Sequence, residues 1–208
     1  MAHRGVLFLD ELPEFDRRVL DVLREPMESG RITISRAAHR ADFPAKFQLI
    51  AAMNPCPCGY QGHASVVCKC SPDAILRYQN RISGPLLDRI DIQMEVASVP
   101  AEVLAADTYG EPSSVIAARV QEAASLQLHR QGKCNQYLTP REIDHYCKLD
   151  RISKAKLKHT MEFFHWSGRA YHRVLRVART IADLEKSERI QANHLNEALQ
   201  YRRALQKD

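Results

Sequence analysis

"GVLFLDELPEF", residues 5–15, decides the fold, because four apolar residues run directly into the acids Asp10 and Glu11. A short apolar run after a glycine predicts a buried strand. The two acids could simply be solvated where that strand ends. They could equally stand at the carboxyl edge of a parallel sheet, the edge at which open α/β proteins bind their ligands.

On the second interpretation the two acids form a Walker B pattern. Asp10 would then help to hold Mg²⁺, and Glu11 would polarise an attacking water, since phosphate hydrolysis depends on positioning and charge neutralisation. The sequence contains no G-x-x-x-x-G-K-[ST] loop to cradle the other phosphates. A nucleotide site here would therefore be incomplete: either the sequence is a fragment of a longer protein, or the Walker B interpretation is wrong.

Composition sets broad limits on the class of protein. The chain has 208 residues, of which 45% are hydrophobic and 26% charged, as in ordinary globular proteins. No apolar run has the length of a membrane span, and the start lacks the pattern of a signal peptide, so we expect a cytoplasmic protein with no membrane partner. The net charge of +5 is compatible with nucleic-acid binding but does not require it.

Periodicity predicts an α/β part followed by an all-helical part. The first helix should cover residues 14–29 with Phe15, Val19, Val22 and Leu23 on one face, and a hairpin over 31–48 should lead into a strand that ends at Asn54. The remaining elements expected are a helix at 71–82, a strand at 91–96, and helices at 112–130, 139–148, 151–165, 167–186 and 191–206.

Shifts in composition divide the chain into three regions. Residues 1–97 should form the α/β part, with a cysteine-rich loop at 54–70. Residues 98–135 read as a linker and a helix, and residues 136–208 as a small helical domain.

Four of the six cysteines lie in one short polar segment. Cys56, Cys58, Cys68 and Cys70 form a C-x-C, nine-residue, C-x-C pattern that suits a tetrahedral thiolate site, most often occupied by zinc. Disulfides or unrelated core thiols are the alternatives, and His63 inside the loop could replace one thiol. Cys134 and Cys147 lie far along the chain and read as ordinary thiols.

Three further polar residues follow predicted elements. Asn54 ends a buried strand and could orient a water or simply cap a turn before Pro55. Arg89 follows Leu86-Leu87, where it could reach a neighbouring subunit's phosphate or form an ordinary surface ion pair. Arg169 opens the helix at 167–186, whose arginine face could also be only solvated.

The order of these blocks resembles the second half of a magnesium-chelatase-like AAA+ ATPase, and within that family the ComM/YifB group. The resemblance rests on "GVLFLDELPEF", "ITISRAAH", "FPAKFQLIAAMNPCPCGY", "RISGPLLDRIDI" and "SGRAYHRVLRVARTIADLE". It covers essentially the whole chain. It implies an α/β half-core with a parallel sheet and a presensor-1 hairpin, followed by a helical lid.

The resemblance also implies roles for individual residues. Asp10 would position Mg²⁺, Glu11 would be the catalytic base, and Asn54 would be sensor 1. Arg89 would be the arginine finger and Arg169 the sensor 2 arginine. The residues of the hairpin expected to contact DNA are Arg36, His39, Arg40 and Lys46.

Members of this group are expected to be homohexameric, ATP-driven helicases that promote branch migration on single-stranded or branched DNA during natural transformation. Because the Walker A loop is missing, the chain alone should hydrolyse ATP poorly. The alternatives are a motor subunit of a metal chelatase and a non-catalytic module for oligomerisation and DNA binding.

Overall fold

A computed structural model describes residues 2–36, 39–63, 65–99, 103 and 110–203. The chain divides into two compact units, Met1–Ile90 and Asp91–Asp208. The first unit contains β1 (Val6–Leu9), α1 (Arg17–Val22), α2 (Arg24–Ser29), β2 (Arg31–Arg36), β3 (His39–Pro44), β4 (Gln48–Ala51), α3 (Pro72–Gln79) and α4 (Gly84–Leu87). The second contains α5 (Ser113–Gln131), α6 (Pro140–Tyr146), α7 (Arg151–Phe163), α8 (Gly168–Leu184) and α9 (Ala192–Arg203).

Two small sheets organise the first unit. β1 and β4 pair in parallel, with Val6 opposite Gln48 and Leu9 opposite Ala51, so both strands end at the same edge. β2 and β3 form the expected antiparallel hairpin. The chain is thus a mixed helical and small-sheet structure, and its parallel sheet consists of a single pair within the described residues.

The strand predicted at residues 91–96 is wrong, because the backbone there has no regular structure. Its alternating apolar side chains, Ile92, Met94 and Val96, are all more than half exposed. The Gln93 amide donates to the Tyr201 carbonyl at 2.6 Å, within the second unit. Alternation alone does not make a strand where no neighbouring strand supplies the ladder of hydrogen bonds.

The helix predicted at 14–29 is interrupted, and its buried face was assigned wrongly. A 3-10 turn at Leu12–Glu14 precedes α1, whose amino end is capped when the Asp16 carboxylate accepts from the Arg18 amide at 2.7 Å. Pro26 has no amide to donate to the carbonyl four residues earlier, which explains the break between α1 and α2. Leu20 and Pro26 are the buried residues of these two helices.

Three of the four residues expected on the buried face of that helix are exposed instead. Phe15, Val19 and Val22 are 38–65% exposed, whereas Leu23 is partly buried. The small core of this unit consists of Leu12, Leu20, Ile82 and Leu86.

The second unit has the larger core. α8 buries Val174, Leu175, Ala178 and Ile181 along one face. Beside this core the buried Asp183 carboxylate accepts from Arg130, Asn135 and Arg179 at distances up to 3.1 Å. Its charge is therefore compensated, as burial requires.

Candidate nucleotide site and metal centre

Asp10 and Glu11 lie immediately beyond the carboxyl end of β1, and both are exposed. The Glu11 amide donates to the Asp10 Oδ1 atom at 2.9 Å, and Glu11 adopts a left-handed conformation with φ 49° and ψ 47°. A non-glycine residue rarely takes this conformation, and such strained residues cluster at functional sites. The turn is held to β4 because the Leu12 amide donates to the Ala52 carbonyl at 2.9 Å.

Asn54 follows β4 at the same edge of the sheet and is exposed. A Cβ atom on Gly59 would lie 4.0 Å from the Asn54 carboxamide oxygen, so this side chain lies against the cysteine loop. Tyr78 of α3 connects the pieces of the site. Burial is the largest cause that raises the pKa of the Tyr78 hydroxyl, and the charge of Glu14 is the second. A hydrogen bond with the Asn54 backbone lowers this pKa, and the charge of Glu11 raises it.

Two residues that the sequence interpretation did not include help to build this edge. Arg81, just beyond α3, forms an ion pair with Glu14 at 2.9 Å and also donates to the Pro13 carbonyl at 3.2 Å. Tyr78 is the other. Its position on α3 is typical of a core aromatic, so periodicity carried no signal that it would contact the site.

Arg89 lies near the end of α4 and is only 7% exposed. Its Nη2 atom lies 2.7 Å from the Glu28 Oε1 atom, and its Nη1 atom donates to the Pro85 carbonyl at 2.6 Å. The ion-pair partner that the structure describes for Arg89 is therefore Glu28 on α2. Nothing in the local sequence pointed to Glu28.

Arg169 is exposed in the first turn of α8. That helix begins at Ser167, whose hydroxyl accepts from the Ala170 amide at 3.4 Å. Farther along the same helix, Arg173 pairs with Asp91 and Arg176 donates to the Leu138 carbonyl. The first-turn arginine is thus the most exposed of these three α8 arginines.

The candidate DNA-contacting residues lie at different positions along the hairpin. Arg36 and His39 are paired at the end of the ladder, but their side chains lie outside the described part of the structure. Arg40 is exposed opposite Ser35. Lys46 lies at the base of the hairpin, beyond the ladder that ends at Pro44. Its backbone amide donates to the His3 Nδ1 atom at 3.2 Å.

The four loop cysteines converge on one point. The sulfur of Cys56 lies 3.4 Å from that of Cys58 and 3.7 Å from that of Cys68, and the last two are 3.5 Å apart. With Cys70 included, all four sulfur atoms lie within 4.8 Å of one another. Four thiolates at Zn–S distances of about 2.3 Å would have sulfurs about 3.8 Å apart, so the cluster is compatible with zinc.

Local hydrogen bonds favour a thiolate in this cluster. Hydrogen bonds from the amides of Tyr60 and Lys69 lower the pKa of Cys58 to about 6. The pKa of Cys70 is raised instead, mainly by its hydrogen bond with the Cys58 sulfur. His63 does not join the four sulfurs. Its Nδ1 atom accepts from the amides of Ser65 and Val66 at 3.2 and 3.1 Å, which stabilises the loop instead.

Comparisons with known proteins agree with this arrangement of elements. The family profile described as magnesium chelatase, subunit ChlI, matches residues 1–104, and the profile of the ChlI C-terminal region matches residues 110–202. None of the described helices is long and apolar enough to cross a membrane.

Two relatives are similar over nearly the whole chain, and a third is similar over less than half of it. YifB of Escherichia coli is 48% identical over 204 residues, which cover 97% of this chain and 40% of that protein. Competence protein ComM of Haemophilus influenzae is 48% identical over 211 residues, covering 100% and 41%. DNA replication licensing factor Mcm6 of Drosophila melanogaster is 29% identical over 92 residues, covering 44% and 10%.

The chain thus spans about 40% of the length of the curated relatives that it matches most fully. Two consecutive family profiles and two relatives at 48% identity agree on one assignment. The chain belongs to the magnesium-chelatase-like family, as a protein of the ComM/YifB type.

Proposed function

We propose that this chain supplies the Walker B acids, the sensors, the arginine finger and the DNA-contacting hairpin of an ATP-driven ring motor. The parallel pairing of β1 and β4 carries the proposal, because it brings Asp10, Glu11 and Asn54 to one edge of the sheet. Ligands bind at this edge in open α/β folds. The strained backbone of Glu11 at that edge supports a functional role for its carboxylate.

Each residue at this edge has a distinct chemical task in the proposal. Asp10 and Glu11 offer the exposed carboxylate oxygens that Mg²⁺ accepts in nucleotide sites, and the ion would supply charge neutralisation at the phosphates. Glu11 orients the attacking water and accepts its proton. Asn54 holds that water or the terminal phosphate through its carboxamide.

Arg89 acts as the finger on the nucleotide of a neighbouring subunit, which requires a ring. In the isolated chain its guanidinium is paired with Glu28, so assembly must exchange that carboxylate for a phosphate. The exchange is electrostatically reasonable, because an arginine can bind either group with two hydrogen bonds. Arg169, exposed at the start of α8, serves as the sensor 2 arginine.

DNA is the proposed substrate of the motor. The names of two relatives, a competence protein and a DNA replication licensing factor, support this choice, as does the exposed Arg40 on the hairpin. Together with Arg36, His39 and Lys46, it would contact the phosphate backbone in the channel of a homohexamer. We further propose that the motor is a helicase that promotes branch migration during natural transformation in the cytoplasm.

Zinc is the proposed occupant of the cluster formed by Cys56, Cys58, Cys68 and Cys70. Among the described residues of the segment that carries these cysteines, Cys56 alone belongs to the buried hydrophobic residues, so a metal would replace the missing core. Its start is fixed to α3 where the Gln79 side chain donates to the Pro55 carbonyl at 2.9 Å. Metal binding would make the cysteine loop beside Asn54 rigid.

A chelatase motor subunit is the second candidate, favoured by the description of the matching family profiles. Both candidates use Glu11 as the base and differ in whether DNA stimulates hydrolysis. A non-catalytic module for oligomerisation and DNA binding is the third possibility and predicts no hydrolysis at all.

ATP hydrolysis by a chimera tests the catalytic part of the proposal. This chain would replace the matching region of Haemophilus influenzae ComM, which restores the parts that the chain does not cover. Glu11→Gln should lower kcat by at least about a hundredfold, a typical loss for a general base. Glu25→Gln, at an exposed position on α2, is the matched control and should retain most of the activity. Equal activity of the two variants would refute the assignment of Glu11.

A further inference from the structure

A groove in the second unit has a basic rim and an aromatic floor. It has a volume of about 840 Å³ and runs along α7 to the start of α8. Arg151, Lys154 and Lys158 form the rim. Tyr171 and Met161 provide the apolar floor; Trp166 also lines the groove, but it is only 9% exposed and its ring stacks on Phe164 and lies 5.7 Å from the Arg202 guanidinium.

The three cations lie on one face of α7. Their spacing of three and four residues corresponds to axial steps of about 4.5 and 6 Å, a scale similar to the spacing of phosphates along a nucleic-acid strand. Arg151 and Lys154 are exposed, and neither forms an ion pair with another residue of the described ranges. Lys158 pairs with Glu162 at 3.7 Å, but both side chains are more than 60% exposed, so this pair is weak.

Nearby carboxylates offset this charge only in part. Burial and then the Asp144 carboxylate raise the pKa of the Tyr171 hydroxyl, so one acid outside the lining also acts on the groove. Glu162 is the one acid among the groove's lining residues, against three cations. Asp150 lies just before Arg151, but its carboxylate is committed to the helix cap, where it accepts from the Ser153 amide at 2.8 Å.

The backbone at the end of α7 supplies a second observation. His165 has a φ of 50°, and the Trp166 amide donates to the Met161 carbonyl at 2.9 Å, as in a helix end that usually carries glycine at this position. A histidine here is conformationally costly. Its exposed ring lines the groove, which gives the side chain a use that glycine would lack.

We infer that this groove binds single-stranded nucleic acid, with phosphates on the rim and a base against the floor. Cations next to aromatic rings are the usual means of binding unpaired strands without reading sequence. A duplex fits poorly, because its bases are stacked inside the helix. The choice of a nucleic acid over other polyanions rests on the proposed DNA motor. The groove is nevertheless a different site from the hairpin, and strand binding there does not require ATP.

Fluorescence anisotropy of labelled oligothymidylate on the 208-residue chain tests this inference. We expect Arg151→Ala/Lys154→Ala to weaken binding at least tenfold at low salt. The slope of log K against log salt concentration should become shallower by about 1.4, since each phosphate contact on a single strand contributes about 0.7. The matched control, Lys156→Ala/Arg189→Ala, removes the same charges outside the groove and should leave the slope unchanged.

His165→Gly separates binding from folding. Glycine suits the left-handed backbone, so the variant should melt no lower than the parent chain while it binds oligothymidylate more weakly. Equal losses in the groove pair and the control pair would overturn the inference, and so would competition by polyglutamate as effective as that by oligothymidylate.

The proposed motor can fail independently of the groove. If Arg40→Ala abolishes strand binding while the groove pair does not, the groove assignment is wrong and the hairpin remains. If the chimera's hydrolysis ignores DNA while the groove pair still loses binding, the motor is wrong and the groove assignment remains.

Discussion

Replacement of one cluster cysteine by serine should weaken zinc binding to the cysteine loop without unfolding the chain. The substitution is Cys58→Ser, because the Cys58 sulfur lies 3.4 and 3.5 Å from two of its partners and receives hydrogen bonds from two backbone amides. Cys134→Ser is the matched control, since this thiol lies outside the cluster. The core of the second unit is far from the loop in sequence and should be unaffected.

The expected magnitude follows from the geometry of the cluster. The sulfur separations among Cys56, Cys58 and Cys68 are 3.4–3.7 Å, within about 0.4 Å of the tetrahedral value, so these three ligands need little rearrangement to bind the ion. Structural zinc sites in peptides bind with about 10–16 kcal/mol of apparent free energy. Loss of one of four ligands should then cost about 2.5–4 kcal/mol, which corresponds to roughly two to three orders of magnitude in affinity.

Zinc content by mass spectrometry and competition with a chromophoric chelator measure this effect. We expect one zinc per chain in the parent and in Cys134→Ser, and a cobalt-substituted form with the absorption bands of a tetrahedral thiolate site. A parent chain that takes up no zinc would refute the reasoning. Equal zinc affinity in the Cys58 and Cys134 variants would refute it as well.

Three other predictions concern the stability of the fold. Glu28→Gln leaves the buried Arg89 without its carboxylate and should lower the unfolding free energy by about 1–2 kcal/mol in urea denaturation, a value reduced by the partial exposure of Glu28. Leu157→Ala creates a cavity at a fully buried site on α7 and should cost about 2.7–5 kcal/mol, whereas Ile152→Ala, at a 77% exposed site on the same helix, should change stability by less than about 0.5 kcal/mol in the same assay. The Lys133 ammonium and then the Thr139 cap lower the pKa of Glu142 from 4.5 to about 2. The stabilisation that this carboxylate gives to the folded state is therefore present above pH 4.5 and lost as the pH falls to about 2. Glu142→Gln should lower Tm at pH 7 but not at pH 2.

Local signals in the sequence were enough to locate most elements. Thr139, Asp150 and Ser167 cap the amino ends of α6, α7 and α8, and the Thr139–Glu142 pair forms a capping box. The convergence of the four cysteines also followed from their spacing. These features depend on residues close together in the chain, which is why sequence patterns could predict them.

Features that depend on distant partners were missed. The pair of Arg89 with Glu28 joins positions that share no local pattern, and the contact of Tyr78 with the Asn54 backbone depends on how α3 packs. The strand expected at residues 91–96 failed for a related reason, because strand formation requires a neighbour that the alternation of apolar residues does not reveal.

The stimulation of ATP hydrolysis by forked DNA tests the central claim most directly. It would be measured in the ComM chimera and in its Arg36→Ala/Arg40→Ala variant, with Arg17→Ala/Arg18→Ala on α1 as the charge-matched control. The account predicts that the fork stimulates the parent and the control, and that the hairpin variant keeps its basal rate but loses the stimulation. Hydrolysis that is indifferent to the fork in all three proteins would contradict the DNA motor and favour the chelatase-type subunit.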